Sequence, residues 1–159
     1  MNYYFINDPV AIKAARCAHK AKLCKVALNN TPENVRVVEI RKNLSGYAWC
    51  RPSSKEFGKL SAPRPFTRKS LYIFLHECAH FAVHADGKRR KRYIEEMEAE
   101  QWAHERMRAA GISVPRSITR RAKSYVRQKM MQAFERGATC FDSKALKFTG
   151  SQQIETVKS

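Results

Sequence analysis

The run His76-Glu77-Cys78-Ala79-His80 sets two imidazoles and a carboxylate where metal-assisted hydrolysis would need them. On an α-helix, residues i and i+4 share a face, so His76 and His80 can bind one ion through their ring nitrogens. Glu77 lies one position round, able to reach a water at that ion without ligating it. Two neutral imidazoles, a later carboxylate and an open water position form the donor set of a catalytic zinc site. The expected chemistry is hydrolysis of a peptide bond, with Zn2+ as cofactor. Glu77 is the expected general base.

The third ligand must come from a later segment. Glu95, Glu96, Glu98 and Glu100 all fall in the next helical stretch. Glu95 and Glu98 share a face with Trp102, while Glu96 and Glu100 share another. Glu98 is the expected ligand, because Ala99 and Ala103 beside it would let the two metal-bearing helices approach closely. His84 continues the His76/His80 face by one more turn. It stands ~12 Å along the axis from His76, too far to share one ion with both. Tyr93, His84 and His104 are candidates for an added donor to the oxyanion that peptide hydrolysis develops. Spare carboxylates such as Glu95 or Glu100 would hold the second nitrogens of the ligating histidines. Cys78 faces the apolar side and is expected to pack in the core.

These side chains need rigid elements to carry them. Thr67 is expected to cap a helix over 68–85, with Leu71, Phe74, Leu75, Cys78 and Ala82 as its apolar stripe and Asp86-Gly87 closing it. The acidic helix should run over 93–110 and stop at Gly111. Upstream, Asn7-Asp8-Pro9 reads as a helix start, with Val10, Ala14, Cys17, Ala21 and Leu28 near one stripe. Residues 35–40 are rich in β-branched side chains and predict a strand. A turn at Asn43-Leu44-Ser45-Gly46 leads to a second strand over 47–50, and a third is expected near 57–60. Ala62-Pro63-Arg64-Pro65 should form a stiff connector. Beyond Val114-Pro115, Ser117 or Thr119 would cap a long basic helix that ends at Gly137.

The expected fold class is α+β. In order it has an N-terminal helix, a small antiparallel or mixed sheet, the H-E-x-x-H helix, the Glu-bearing helix and the basic helix. One domain over 1–149 would include the basic helix at 116–136, with 150–159 as a flexible tail.

Charge is the other conspicuous property. The chain of 159 residues has 31 Lys+Arg against 14 Asp+Glu, a formal charge of +17. That balance favours a polyanionic partner. Lys88-Arg89-Arg90-Lys91-Arg92 reads equally as a phosphate-contacting loop or a solvated one. In the stretch 116–136, Ile118, Ala122, Tyr125, Val126 and Met130 form an apolar stripe. Arg116, Arg120, Arg121, Lys123, Arg127, Lys129 and Arg136 fall mainly on the remaining surface. No zinc-finger spacing or RNA-recognition motif accompanies them, so nucleic-acid binding is expected to be non-specific and salt-sensitive. Cys17, Cys24, Cys50, Cys78 and Cys140 are scattered and form no C-x-x-C, as suits reduced thiols in a cytoplasmic protein. No signal pattern opens the chain, and the longest apolar run, 71–75, is too short to cross a bilayer.

His76-Glu77-x-x-His80-x-x-x-His84, followed by Glu96-x-Glu98-Ala99-x-x-Trp102-Ala103, resembles the ImmA/IrrE-type metallopeptidases, small gluzincin-like proteins. The likeness covers roughly 67–110. It implies His76, His80 and Glu98 as zinc ligands and Glu77 as general base, on a zincin-like domain that acts on a protein or peptide. Cys78-Ala79 departs from the bulky-then-Gly pair usual before the second histidine, and the basic helix has no counterpart in the pattern. The SprT-like proteases use a third histidine, for which His104 is the only later candidate. The rival expectation is a basic nucleic-acid-binding accessory protein whose zinc site is structural or inactive.

Overall fold

A computed structural model describes residues 17–49, 58–84, 88 and 90–151. The Asn7-Asp8-Pro9 helix start, Cys50, Phe57, Asp86-Gly87 and nearly all of the expected tail lie outside the described residues. Those described form an α+β structure of five helices and a three-stranded mixed sheet. The order is α1 (Ala18–Asn29), β1 (Val35–Arg41), β2 (Tyr47–Trp49), β3 (Gly58–Pro63), α2 (Arg68–Ala82), α3 (Arg92–Ala109), α4 (Arg116–Glu135) and α5 (Ser143–Thr149).

Strand β3 is central: it pairs parallel with β1 and antiparallel with β2, which forms an edge. The third strand runs further than the sequence suggests. Ala62 and Pro63 extend it instead of starting a connector, pairing with Ile40 and Arg41. Burial supplies the reason, since Leu60 and Ala62 have no exposure and belong to the main core.

Helix α1 begins at Ala18, because Cys17 is extended at φ −102 and ψ 110. Its buried residues are Leu23, Val26 and Ala27, at a spacing of three and four. The expected stripe through Cys17, Ala21 and Leu28 is therefore displaced: Cys17 is exposed, and Ala21 and Leu28 are half-buried.

Helix α2 starts where expected. The Thr67 side chain accepts from the Ser70 backbone N–H, and the Ser70 side chain answers the Thr67 backbone N–H, a reciprocal capping box. Its buried face is wider than one stripe. Tyr72, Ile73, Ala79 and Phe81 are buried along with Leu71, Phe74, Leu75 and Cys78, while Ala82 is exposed. The cause is position: α2 packs on β2 and β3, on α1 and on α3.

Helix α3 ends before Gly111, whose φ of +64 suits a residue without a side chain. Helix α4 begins at Arg116, directly after Pro115, and not at a Ser or Thr cap. It buries Ile118, Ala122, Val126 and Met130. A short α5 follows, capped by Asp142, whose carboxylate accepts from the N–H groups of Lys144 and Ala145. Ala145 joins Tyr93, Met97, Val126 and Met130 in a second core, with Phe141, Leu146 and Phe148 packed against it. Among the described residues no helix is long and apolar enough to cross a membrane.

Candidate metal centre

The facing surfaces of α2 and α3 carry the site. His76 and His80 stand one turn apart on α2, both mostly buried. Glu96 of α3 turns toward them: its Oε2 is 3.2 Å from His76 Nε2 and 3.9 Å from His80 Nε2. Ligand atoms held ~2.1 Å from a tetrahedral ion lie about 3.4 Å apart, so these separations bracket the distance an ion would set. Glu96 is 1% exposed, yet neither carboxylate oxygen has a well-formed hydrogen bond. An unpartnered buried oxygen facing two ring nitrogens is costly alone and becomes favourable around a cation. His76, His80 and Glu96 could thus hold a metal ion.

The charges suit that role. Burial, reinforced by His76, holds the pKa of His80 down to about 3, which keeps its ring neutral and able to ligate. Burial pushes Glu96 upward, but His76, Arg92 and His80 outweigh it, and the net direction is down. Arg92, the first residue of α3, places its guanidinium 2.6 Å from Glu96 Oε1. It neutralises that oxygen and leaves Oε2 for the histidines.

Glu98, the expected third ligand, is not brought to this group. Its Oε2 lies 3.1 Å from His84 Nε2 and 3.7 Å from Arg90 Nε. Neighbours on a helix point about 100° apart; residue i−3 from a buried position shares its face and residue i−1 does not. Ala99 and Ala103 do mark the closest approach, with no exposure at all. They select Glu96, three before Ala99. The spacing Glu96, Ala99, Glu100, Ala103, His104, Met107 is a complete helical stripe, and every member is buried. That pattern was the available signal.

Glu98 instead completes a chain leading to the site. His84 Nδ1 lies 3.3 Å from His80 Nδ1. In neutral rings, Glu98 accepts from His84 Nε2–H, so His84 Nδ1 must accept from His80 Nδ1–H. His80 Nε2 then keeps its lone pair directed at the Glu96 side. Arg90 and Arg92, from the basic run, are engaged with the acids of α3.

Glu77 is 8% exposed and lies beside the group. Burial raises its carboxyl to about 7, with Glu96 adding to the rise and His76, Arg92 and Arg41 opposing it. A Cβ on Gly46 would overlap the Cγ, Cδ and Oε1 of Glu77. The turn before β2 therefore needs glycine so that Glu77 can lie across it, a constraint the sequence alone does not disclose. Glu100 stands behind His76, its Oε1 3.5 Å from Nδ1, and burial raises it to about 8 against the opposing Arg121.

His76, Glu77 and Glu100 open onto a pocket of about 180 Å3, walled by Ser45, Gly46, Tyr72, Ile73 and, from α4, Arg121, Ala122 and Tyr125. Tyr125, Tyr72 and Ser45 are the hydroxyl-bearing residues among those that line it. Of the three expected donors, Tyr93 is 1% exposed in the second core, where its hydroxyl accepts from Asp142 N–H. His104 is buried against the Tyr72 ring, and His84 is held by His80 and Glu98. Cys78 is fully buried and unpaired by disulfide, as its apolar position implied.

No family model matches this chain, and comparisons with curated proteins and with solved structures likewise find no match.

Proposed function

We propose that this protein is a zinc-dependent peptidase that activates water at His76, His80 and Glu96. The observation that carries the reading is the convergence of the two histidines and the buried Glu96, with His76 and Glu77 lining a pocket. The resemblance of 67–110 to ImmA/IrrE-type metallopeptidases supports it, with Glu96 in place of Glu98 as the third ligand. Two imidazoles and one carboxylate suit zinc and leave room for a fourth, exchangeable position.

Zinc held there would supply Lewis acidity to an attacking water and to a scissile carbonyl. Glu77 accepts the proton of the attacking water and returns it to the leaving nitrogen. Its poise near neutral pH suits both transfers. Tyr125, which lines the pocket from α4, is the residue assigned as an added donor to the oxyanion. The edge strand β2, with Tyr47 and Trp49 exposed, offers main-chain groups to an extended peptide.

The test combines metal analysis with turnover. Purified protein should contain stoichiometric zinc, lost in His76→Ala. Zinc-loaded protein should cleave members of a mixed peptide library, and Glu77→Gln should keep the zinc and lose the cleavage. Undiminished turnover in Glu77→Gln would overturn the mechanism; failure to take up zinc would overturn the site.

A further inference from the structure

Helix α4 has a face used by neither the core nor the cleft. Arg116, Arg120, Lys123 and Arg127 follow at spacings of four, three and four residues. At 3.6 residues per turn they fall within about 60° of the helix circumference. All four are exposed, and none pairs with any described residue. The helix's one acid, Glu135, is its last residue. Lys69 adds a cation among the residues that line a pocket with Leu44, Ser117 and Ile118, next to the N-terminal end of the row.

The other faces of α4 are committed. Ile118, Ala122, Val126 and Met130 are buried, and Arg121 and Tyr125 wall the cleft. The row is therefore a separate surface of a chain whose charge is +17. It spans ~16 Å at 1.5 Å per residue, a length over which one nucleic-acid strand presents about five phosphates. A bilayer surface is a poorer match. A membrane-lying helix turns its apolar side to the lipid, whereas the apolar side of α4 is inside the protein. Of the large apolar side chains on α4, only Met131 is exposed.

We infer that Arg116, Arg120, Lys123 and Arg127 form a docking row for the phosphate backbone of nucleic acid, bound without regard to sequence. The inference does not depend on the peptidase reading, and its test requires no turnover. Binding of the full chain to a short random-sequence DNA duplex, followed by fluorescence anisotropy across a salt series, gives log K against log salt. Arg120→Ala combined with Lys123→Ala should reduce the slope by about 1.8, the loss of two neutralised phosphates. Arg116→Gln combined with Arg127→Gln should do the same, so the test survives if either pair fails to fold.

Lys22→Ala with Lys25→Ala removes the same charge from exposed positions on α1 and should leave the slope unchanged. An equal fall in that control would make net charge, not the row, responsible and overturn the inference. So would undetectable binding at low salt. Phosphatidylserine vesicles bound in preference to the duplex would point to a membrane surface and overturn it as well.

Discussion

Glu96 and Glu98 are two positions apart in sequence and have different jobs in the structure. Glu96 presents a buried oxygen to His76 and His80, whereas Glu98 acts on His80 through His84. Glu96→Ala should therefore abolish tight zinc binding. Glu98→Ala should keep the site with affinity weakened about 10- to 100-fold, as for other outer partners of metal ligands. Competition against a chromogenic chelator separates the two; equal loss in both variants would refute the division of roles. Gly46 makes a second residue-level case. Gly46→Ala should push the Glu77 carboxylate out of place, leaving zinc content intact and cutting turnover by about 10^2- to 10^4-fold, the range expected when a general base is misplaced. Metal content measured beside cleavage rate checks this. Zinc loss in Gly46→Ala would instead mean that the whole turn, and not Glu77 alone, had shifted.

At the scale of elements, α2 is the axis of the site, and three contacts hold it in register. Its N-terminus is fixed by the Thr67/Ser70 capping box, its flank packs on β2 and β3, and its opposite side meets α3. Its C-terminal turn is tied to the sheet through Phe81, 3% exposed, whose ring occupies the space where a Gly58 side chain would begin. Gly58→Ala should force that ring aside and destabilise the fold by about 1–3 kcal/mol, as overpacking does. Urea unfolding would read it as a lower midpoint at unchanged slope. An unchanged midpoint would show that Phe81 can move freely. Helix α4 has two occupied sides: one closes the second core with α5, and the other contributes Arg121 and Tyr125 to the cleft.

At the scale of the whole molecule, the candidate ligands join two helices that belong to different steps of the chain. A bound ion would then cross-link α2 to α3 and stabilise the fold by mass action, about 4 kcal/mol when free metal is a thousandfold above its Kd. Thermal unfolding should shift to lower temperature on adding a strong chelator and recover on adding zinc. Glu96→Ala should unfold at a temperature that the chelator no longer changes. A chelator effect of the same size in that variant would place the stabilising ion elsewhere.

Local sequence determined much of this protein. The pairing of His76 with His80 is a consequence of helical spacing, which no packing partner needs to create. Thr67 as a cap, Gly111 as a stop, β1 and β2 as strands and the amphipathic character of α4 all rest on interactions within a few residues, although α4 starts after Pro115 without the expected Ser or Thr cap. The α+β class follows from those local signals. Other features needed the chain to be brought together. The burial of α2 on nearly all sides reflects packing against the sheet, α1 and α3 together, which no single stripe records. The extension of β3 through Pro63 depends on pairing with β1. The helical stripe through Ala99 and Ala103 signals Glu96 over Glu98, but its approach to the histidines, the place of Tyr125 on the cleft wall and the need for glycine at position 46 are facts of approach between separate segments. Helical periodicity states which residues share a face; only tertiary packing decides which face meets the histidines.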